Sequence, residues 1–318
     1  MIAVENLSVR FGAAEALRRV TLALRPGERL GVVGESGSGK SMLGLAMMGM
    51  LPEAAQLTGT LRIEGRDMAR AGERDWRALR ARRVAMIFQE PMMALNPLAR
   101  VGDTVMEPLR LHLGLSRAAA RRRALELFEE TGIQAPQEKL RQYPHELSGG
   151  QRQRVLIALA LACDPGVLIA DEPTTALDAH VALRITDLLS RLARDRGMVL
   201  LFISHDLAAV ARTVDSVAVM YGGEIVERGP VDRVLADPAH PYTRGLLQAR
   251  PRISGGALRR RLPMIPGTVP AMADLPAGCR FSGRCGQELE RCAHQRPAER
   301  HLPDLRACAC HLLAEAGR

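Results

Sequence analysis

The sequence predicts an α/β fold, a largely parallel sheet covered by helices on both faces. Short apolar runs at residues 30–33, 84–88, 167–170 and 198–203 read as buried strands. Stretches with helical spacing separate them, from Lys40 onward, across 101–131, from Ser148 to about Ala162, and from Ala179 to Asp195. Strands that alternate with helices build parallel sheets, because each return crossover has to traverse the sheet. The third observation is a strand at 30–33 that runs into a glycine-rich turn and then a helix.

The remaining elements follow in order. Residues 2–10 alternate apolar and polar positions, and residues 21–24 do so again before the turn at Pro26-Gly27, so both read as half-buried strands. Residues 216–229 read as a hairpin about Gly222-Gly223. Residues 250–276 hold many prolines, glycines and arginines with little periodicity, which predicts a linker to a small cysteine-bearing tail. There is no internal repeat.

With 318 residues, 47% hydrophobic and 25% charged, the chain has enough apolar content for one large core or two domains. The longest apolar stretch, residues 42–51, is interrupted by Gly44 and Gly49 and falls short of the roughly eighteen residues a membrane span needs. Residues 1–5 lack the basic and apolar regions of a secretory signal, so a cytoplasmic location is expected. A net charge of +9 raises the question of anionic partners. The arginines of 77–83 and 117–123 read as solvated helix faces, and at 3% aromatic content no rings interleave them as a single-strand binder requires. No nucleic acid is expected.

Gly34-Glu35-Ser36-Gly37-Ser38-Gly39-Lys40-Ser41 fits the pattern G-x-x-x-x-G-K-[ST]. A structural glycine turn could share its composition, but the strand before it and the helix after it are what phosphate binding demands. Glycines let backbone N–H groups curl around phosphate oxygens, and the helix N-terminus adds partial positive charge. Lys40 is expected to reach the terminal phosphates of ATP, and the Ser41 hydroxyl to bind Mg²⁺. Asp171 and Glu172 end the apolar run at 167–170. Such a pair could cap a helix. Beside a phosphate loop, Asp171 is expected to hold the Mg²⁺ and Glu172 to polarise the attacking water as general base.

Leu147-Ser148-Gly149-Gly150-Gln151, followed by Arg152-Gln153-Arg154, resembles the signature sequence of the ATP-binding-cassette ATPases. The resemblance implies a P-loop NTPase cassette with a mostly parallel RecA-like core sheet, an antiparallel β subdomain and a helical signature subdomain, here with a small Cys-rich C-terminal extension. It implies a head-to-tail dimer in which the signature residues Ser148, Gly149, Gly150 and Gln151 meet the ATP held by a partner's loop. By the same resemblance, Phe11 would stack on adenine, although a strand-end phenylalanine also serves as core. Gln89 would contact Mg²⁺ and the attacking water, Asp178 would be the D-loop acid, and His205 would hold the γ-phosphate. The domains expected are a cassette over 1–250, with its helical subdomain at about 92–162, and a linker and extension over 251–318.

Residues 88–97 (FQEPMMALNP), 143–147 (YPHEL) and 240–243 (HPYT) are similar to the ATPase subunits of the oligopeptide, dipeptide and nickel permeases. This resemblance implies an ATP-driven importer subunit for di- and oligopeptides. Its partners would be two integral-membrane permease subunits, a second and paralogous cassette, and indirectly an extracytoplasmic solute-binding protein. It would sit peripherally on the cytoplasmic face of the inner membrane, with residues 90–97 receiving a coupling helix. Nickel or another solute, an exporter role, and a soluble role on ribosomes or DNA are the alternatives.

Cys279, Cys285, Cys292 and Cys310 do not have the paired C-x₂-C spacing of common zinc modules. They resemble the terminal cysteines of peptide-permease ATPases, which implies a [4Fe–4S] cluster. Zn²⁺ and plain reduced thiols remain open, as does the choice between Cys308 and Cys310 as fourth ligand.

Overall fold

Runs of apolar, often β-branched residues with no polar face can only be buried on both sides, and that dictates a sheet sandwiched between layers. In the computed structural model, which describes residues 1–89, 94–249 and 263–315, those runs lie side by side. β3 (Arg29–Val33), β6 (Val84–Ile87), β7 (Val167–Asp171) and β8 (Val199–Ser204) pair in parallel in the order β3-β8-β7-β6. β9 (Ser216–Tyr221) joins β3 in parallel, and β10 (Glu224–Pro230) returns antiparallel to β9 as the predicted hairpin. Two strands of the C-terminal segment, β12 (Ala307–Cys308) and β11 (Arg300–His301), extend this sheet at its β10 edge.

A second, antiparallel sheet has the order β2-β1-β4-β5 and is formed by β1 (Ile2–Phe11), β2 (Ala14–Leu24), β4 (Gln56–Ile63) and β5 (Arg66–Asp67). Alternate residues of the central strands feed two cores. Val32, Met86, Ile169, Leu201 and Ile203 pack with α1 (Lys40–Met47) and the antiparallel sheet. Val33, Ile87, Leu168, Ala170, Leu200 and Phe202 pack on the other face.

That other face carries α3 (Val101–Leu113), α4 (Arg117–Glu130), α6 (Gly149–Ala160), α7 (Ala179–Asp195) and α8 (Leu207–Thr213). The predicted helical stretch at 101–131 is two helices, because Gly114 takes a left-handed conformation that ends α3 and Ser116 caps α4. Short helices fill the remaining connections: α2 (Glu73–Leu79), α5 (Pro136–Lys139), α9 (Val231–Ala236), α10 (Pro241–Gln248) and α11 (Leu312–Glu315). Among the described residues, no helix is long and apolar enough to cross a membrane.

Candidate functional site

In an open α/β sheet, the carboxyl ends of neighbouring parallel strands form a crevice lined by the loops that leave them. Four neighbouring strands supply one element each here. β3 runs into the glycine loop, Asp171 ends β7 with Glu172 next, His205 follows β8, and Gln89 lies two residues beyond β6. The register matches, with Val33 opposite Ser204 and Asp171 opposite Ile203. The expectations from sequence thus meet at one edge.

The loop curls because its glycines take conformations closed to other residues. Gly39, the N-cap of α1, has φ 97°, and a Cβ there would lie 2.9 Å from the Ala16 carbonyl oxygen. At Gly34 a Cβ would collide with the Met220 carbonyl oxygen of β9. Ser36 and Gly37 are exposed at the loop's crest, while Ser38 and Lys40 are buried. The Lys40 ammonium donates to the carbonyl oxygens of Gly34 and Glu35 at 2.8 and 2.9 Å. Burial pushes the Lys40 ammonium pKa below the ordinary lysine value, against the opposing pull of Glu172, Asp171 and Glu35.

Asp171 is 4% exposed and accepts a hydrogen bond from the Ser41 side chain. Its Oδ1 has no partner. Burial therefore raises the Asp171 carboxyl above the usual range, with Glu172 adding to the effect and Ser41 and Lys40 opposing it. A buried carboxylate oxygen beside a serine hydroxyl and a lysine, with its lone pairs unused, fits a hard cation such as Mg²⁺.

Glu172 adopts φ 45°, a left-handed conformation rare outside glycine that turns its side chain over the strand end. Three side chains meet its Oε2: Gln89 Nε2 at 3.3 Å, His205 Nδ1 at 3.2 Å and Thr175 Oγ1 at 2.9 Å. Thr175 was not legible as a site residue. Its signal is that it closes the turn begun by Glu172, donating its amide to the Glu172 carbonyl oxygen.

The signature residues lie elsewhere on the surface. Ser148 caps α6, its Oγ accepting from the Gln151 amide while Gln151 Oε1 accepts from the Ser148 amide, a reciprocal capping box. Ser148 and Gly149 are exposed. Gly150 sits against α7, where a Cβ would lie 2.7 Å from Val181 Cγ1. Asp178 is exposed and caps α7, accepting from the Val181 amide at 2.9 Å. Phe11 is half-buried at the end of β1 and packs against the core. Of the segment expected to receive a coupling helix, residues 90–93 lie outside the described residues.

Cys279, Cys285, Cys292 and Cys310 line one small cavity together with His240 and Phe281. Cys308 does not line it; it lies in β12, opposite Glu227 of β10. Burial first, then the neighbouring thiols, pushes the Cys279 thiol up to about 12. Among the described residues, no group of three or more His, Cys, Asp or Glu is gathered so as to hold a metal ion. The expected cluster thus finds its donor set in one place but no closed site, and the geometry lends it no support.

A family model described as "ABC transporter" matches residues 17–175, and one described as "Oligopeptide/dipeptide transporter, C-terminal region" matches residues 226–292. The chain is 42% identical to the dipeptide transport ATP-binding protein DppD of Escherichia coli, over 100% of this chain and 98% of the relative. It is 47% identical to a probable D,D-dipeptide transport ATP-binding protein, DdpD, of the same organism, over 96% of this chain and 92% of the relative. Against the oligopeptide transport ATP-binding protein OppD of Salmonella typhimurium it is 43% identical, over 97% and 93%. A solved dimeric ATP-binding cassette in a post-hydrolysis state, bound to ADP and Pi, superposes with a TM-score of 0.65 at 28% identity, covering 73% of this chain and 99% of that one.

Proposed function

The chain belongs to the ABC transporter ATPases, in the group that carries the oligopeptide/dipeptide transporter C-terminal region, and from that membership we propose that it hydrolyses ATP to drive import of di- or oligopeptides. The observation that carries the reading is the meeting of Gln89 and His205 on the Glu172 carboxylate, beside the Lys40 loop. The three relatives named above are all called peptide transport proteins, and they lend nothing to the nickel, exporter, ribosome or DNA alternatives.

In this reading, the N–H groups of residues 34–41 wrap the β- and γ-phosphates, and the Lys40 ammonium exchanges its two carbonyl acceptors for phosphate oxygens. Ser41 and Asp171, with Gln89, would hold Mg²⁺, which offsets the charge that develops on the transferred phosphoryl group. Glu172 accepts a proton from the attacking water. Thr175 and Gln89 fix the carboxylate that does so, and His205 approaches the γ-phosphate from β8. Phe11 would flank the adenine.

The signature surface completes the site in trans. Ser148, Gly149, Gly150 and Gln151 at the exposed start of α6 present a second helix N-terminus to ATP on a partner cassette, with Asp178 of α7 alongside. The assembly is two such ATPases, this chain and a paralogue, on two integral-membrane permeases at the cytoplasmic face of the inner membrane, fed by an extracytoplasmic binding protein. We divide the chain into a cassette over 1–250, with a helical subdomain at about 92–162, and an extension over 251–318. Cys279, Cys285, Cys292 and Cys310 would be the residues to hold a [4Fe–4S] cluster or Zn²⁺; among the described residues they share a cavity without forming a closed metal site, and no step of ATP hydrolysis runs through it. Iron and sulfide content after anaerobic purification tests that part, and a metal-free chain of normal ATPase activity ends it.

The transport reading is tested by reconstituting the chain with its permeases, paired cassette and binding protein in vesicles. ATP-dependent dipeptide accumulation is expected. Nickel accumulation without peptide accumulation would overturn it.

A further inference from the structure

The cysteine-bearing segment is tied to the phosphate loop through one buried guanidinium. Arg284, 5% exposed at its side chain, makes a two-pronged ion pair with Glu35, Nη1 to Oε2 at 2.8 Å and Nη2 to Oε1 at 3.1 Å. Glu35 is the second residue of the glycine loop. Its amide donates to the Tyr242 hydroxyl at 2.8 Å, and its carbonyl oxygen accepts from the Lys40 ammonium at 2.9 Å. Each polar group of Glu35 is therefore held from a different direction.

Arg284 is itself held on every side. Its Nε donates to the Pro266 carbonyl at 2.8 Å, and its Nη atoms also donate to the Tyr221 hydroxyl at 3.2 Å and the Gly267 carbonyl at 3.3 Å. The guanidinium carbon lies 5.6 Å from the Tyr221 ring centre. Tyr221 packs edge-on against Tyr242 and against Phe281 of the C-terminal segment, at 4.7 and 5.1 Å between ring centres. An aromatic block thus backs the guanidinium on its Tyr221 side, and the hydrogen bonds fix its fork.

The charge balance says what this arrangement accomplishes. An unpaired carboxylate within a phosphate-binding loop repels the triphosphate it must admit, and it competes for the lysine that must reach that triphosphate. We propose that Arg284 of the C-terminal segment is a positioning residue for ATP binding, neutralising Glu35 and locking the phosphate loop in its open-armed shape. The role belongs to this chain's own residues and is independent of any metal in the tail. It also gives the tail a physical route to the ATP site, since Arg284 is the chain neighbour of Cys285, which lines the thiol cavity.

The inference rests on the 34–41 loop being the ATP site. The test measures the dissociation constant of a fluorescent ATP analogue on the full purified chain, together with KM and kcat in the assembled transporter. Arg284→Gln is expected to weaken ATP binding about 10-fold and to raise KM in parallel, with kcat within about 3-fold of the parent. Arg284→Lys, which keeps the charge but loses the fork, recovers most of that affinity. Arg284→Gln combined with Glu35→Gln binds ATP no worse than Arg284→Gln alone, because the two residues act through one contact. Undiminished affinity in Arg284→Gln overturns the proposal, as does a loss that Arg284→Lys fails to relieve, which marks a merely structural arginine. Lys40→Ala separates the premise from the proposal: if it too binds ATP normally, the loop is not the ATP site and both fall.

Discussion

The imidazole Nδ1 of His205 lies 3.2 Å from Oε2 of Glu172, an oxygen that Gln89 and Thr175 also contact. Three parallel strands and one turn converge on a single carboxylate oxygen. His205→Ala should therefore lower kcat by about 10-fold or more while ATP affinity stays within about 3-fold. Single-turnover rates beside equilibrium binding check this, and a variant with lost affinity but normal turnover would contradict it.

Asp171 is buried with an unpaired oxygen, so its charge weakens the nucleotide-free chain, and under the proposed function an arriving cation would use it. Asp171→Asn should stabilise the nucleotide-free protein by up to about 1 kcal/mol. The same variant should gain much less stability than the parent from Mg²⁺ with ATP. Paired thermal melts with and without Mg–ATP show both signs, and a variant with unchanged Mg–ATP stabilisation removes Asp171 from the cation site.

Ser148 is exposed and caps α6, so it serves the free chain only as a cap. Ser148→Arg should cost about 1 kcal/mol of stability and leave ATP affinity of the isolated chain unchanged. In the assembled transporter the same change should abolish ATP hydrolysis at the site that Ser148 faces. Normal hydrolysis there would refute the trans assignment.

His240 is 1% exposed, and its Nδ1 accepts from the Tyr242 amide at 3.0 Å as the cap of α10. Burial depresses its pKa to about 3 from 6.5, so below pH 6.5 the unfolded chain takes up the proton first. Stability from the neutral ring is whole above about pH 6.5 and is lost as pH falls toward about 3, amounting to roughly 2 kcal/mol at pH 5. Asn at this position keeps a capping oxygen and does not titrate. Urea melts at pH 7.5 and 5 should show His240→Asn losing less stability than the parent, and equal losses would count against a buried neutral imidazole.

The parts of the fold legible in the sequence were those with one dominant period. The buried strands β3, β6, β7 and β8 stood out as apolar runs, and each carries a site residue at its carboxyl end. The alternation predicts β2 only at residues 21–24, although the strand begins at Ala14. Register shifts against β1, near Leu7 and Val9, break the alternation there. β4 has no legible apolar period because Thr58, Gly59 and Thr60 interrupt it, Gly59 at φ 93° packing close to Asn6. In the candidate site, the motifs point to Lys40, Asp171, Glu172, Gln89 and His205, and the fold brings these five to one sheet edge. The Arg284–Glu35 pair was not, since 249 positions separate its members and only the tertiary fold brings them together.

Glu172→Gln tests the central claim most directly, because it removes a proton acceptor while leaving shape and the Thr175 contact nearly intact. In the assembled transporter, ATP binding should stay within about 2-fold of the parent and hydrolysis should fall by about 100-fold or more. Hydrolysis at the parental rate in that variant would contradict the whole account of this site.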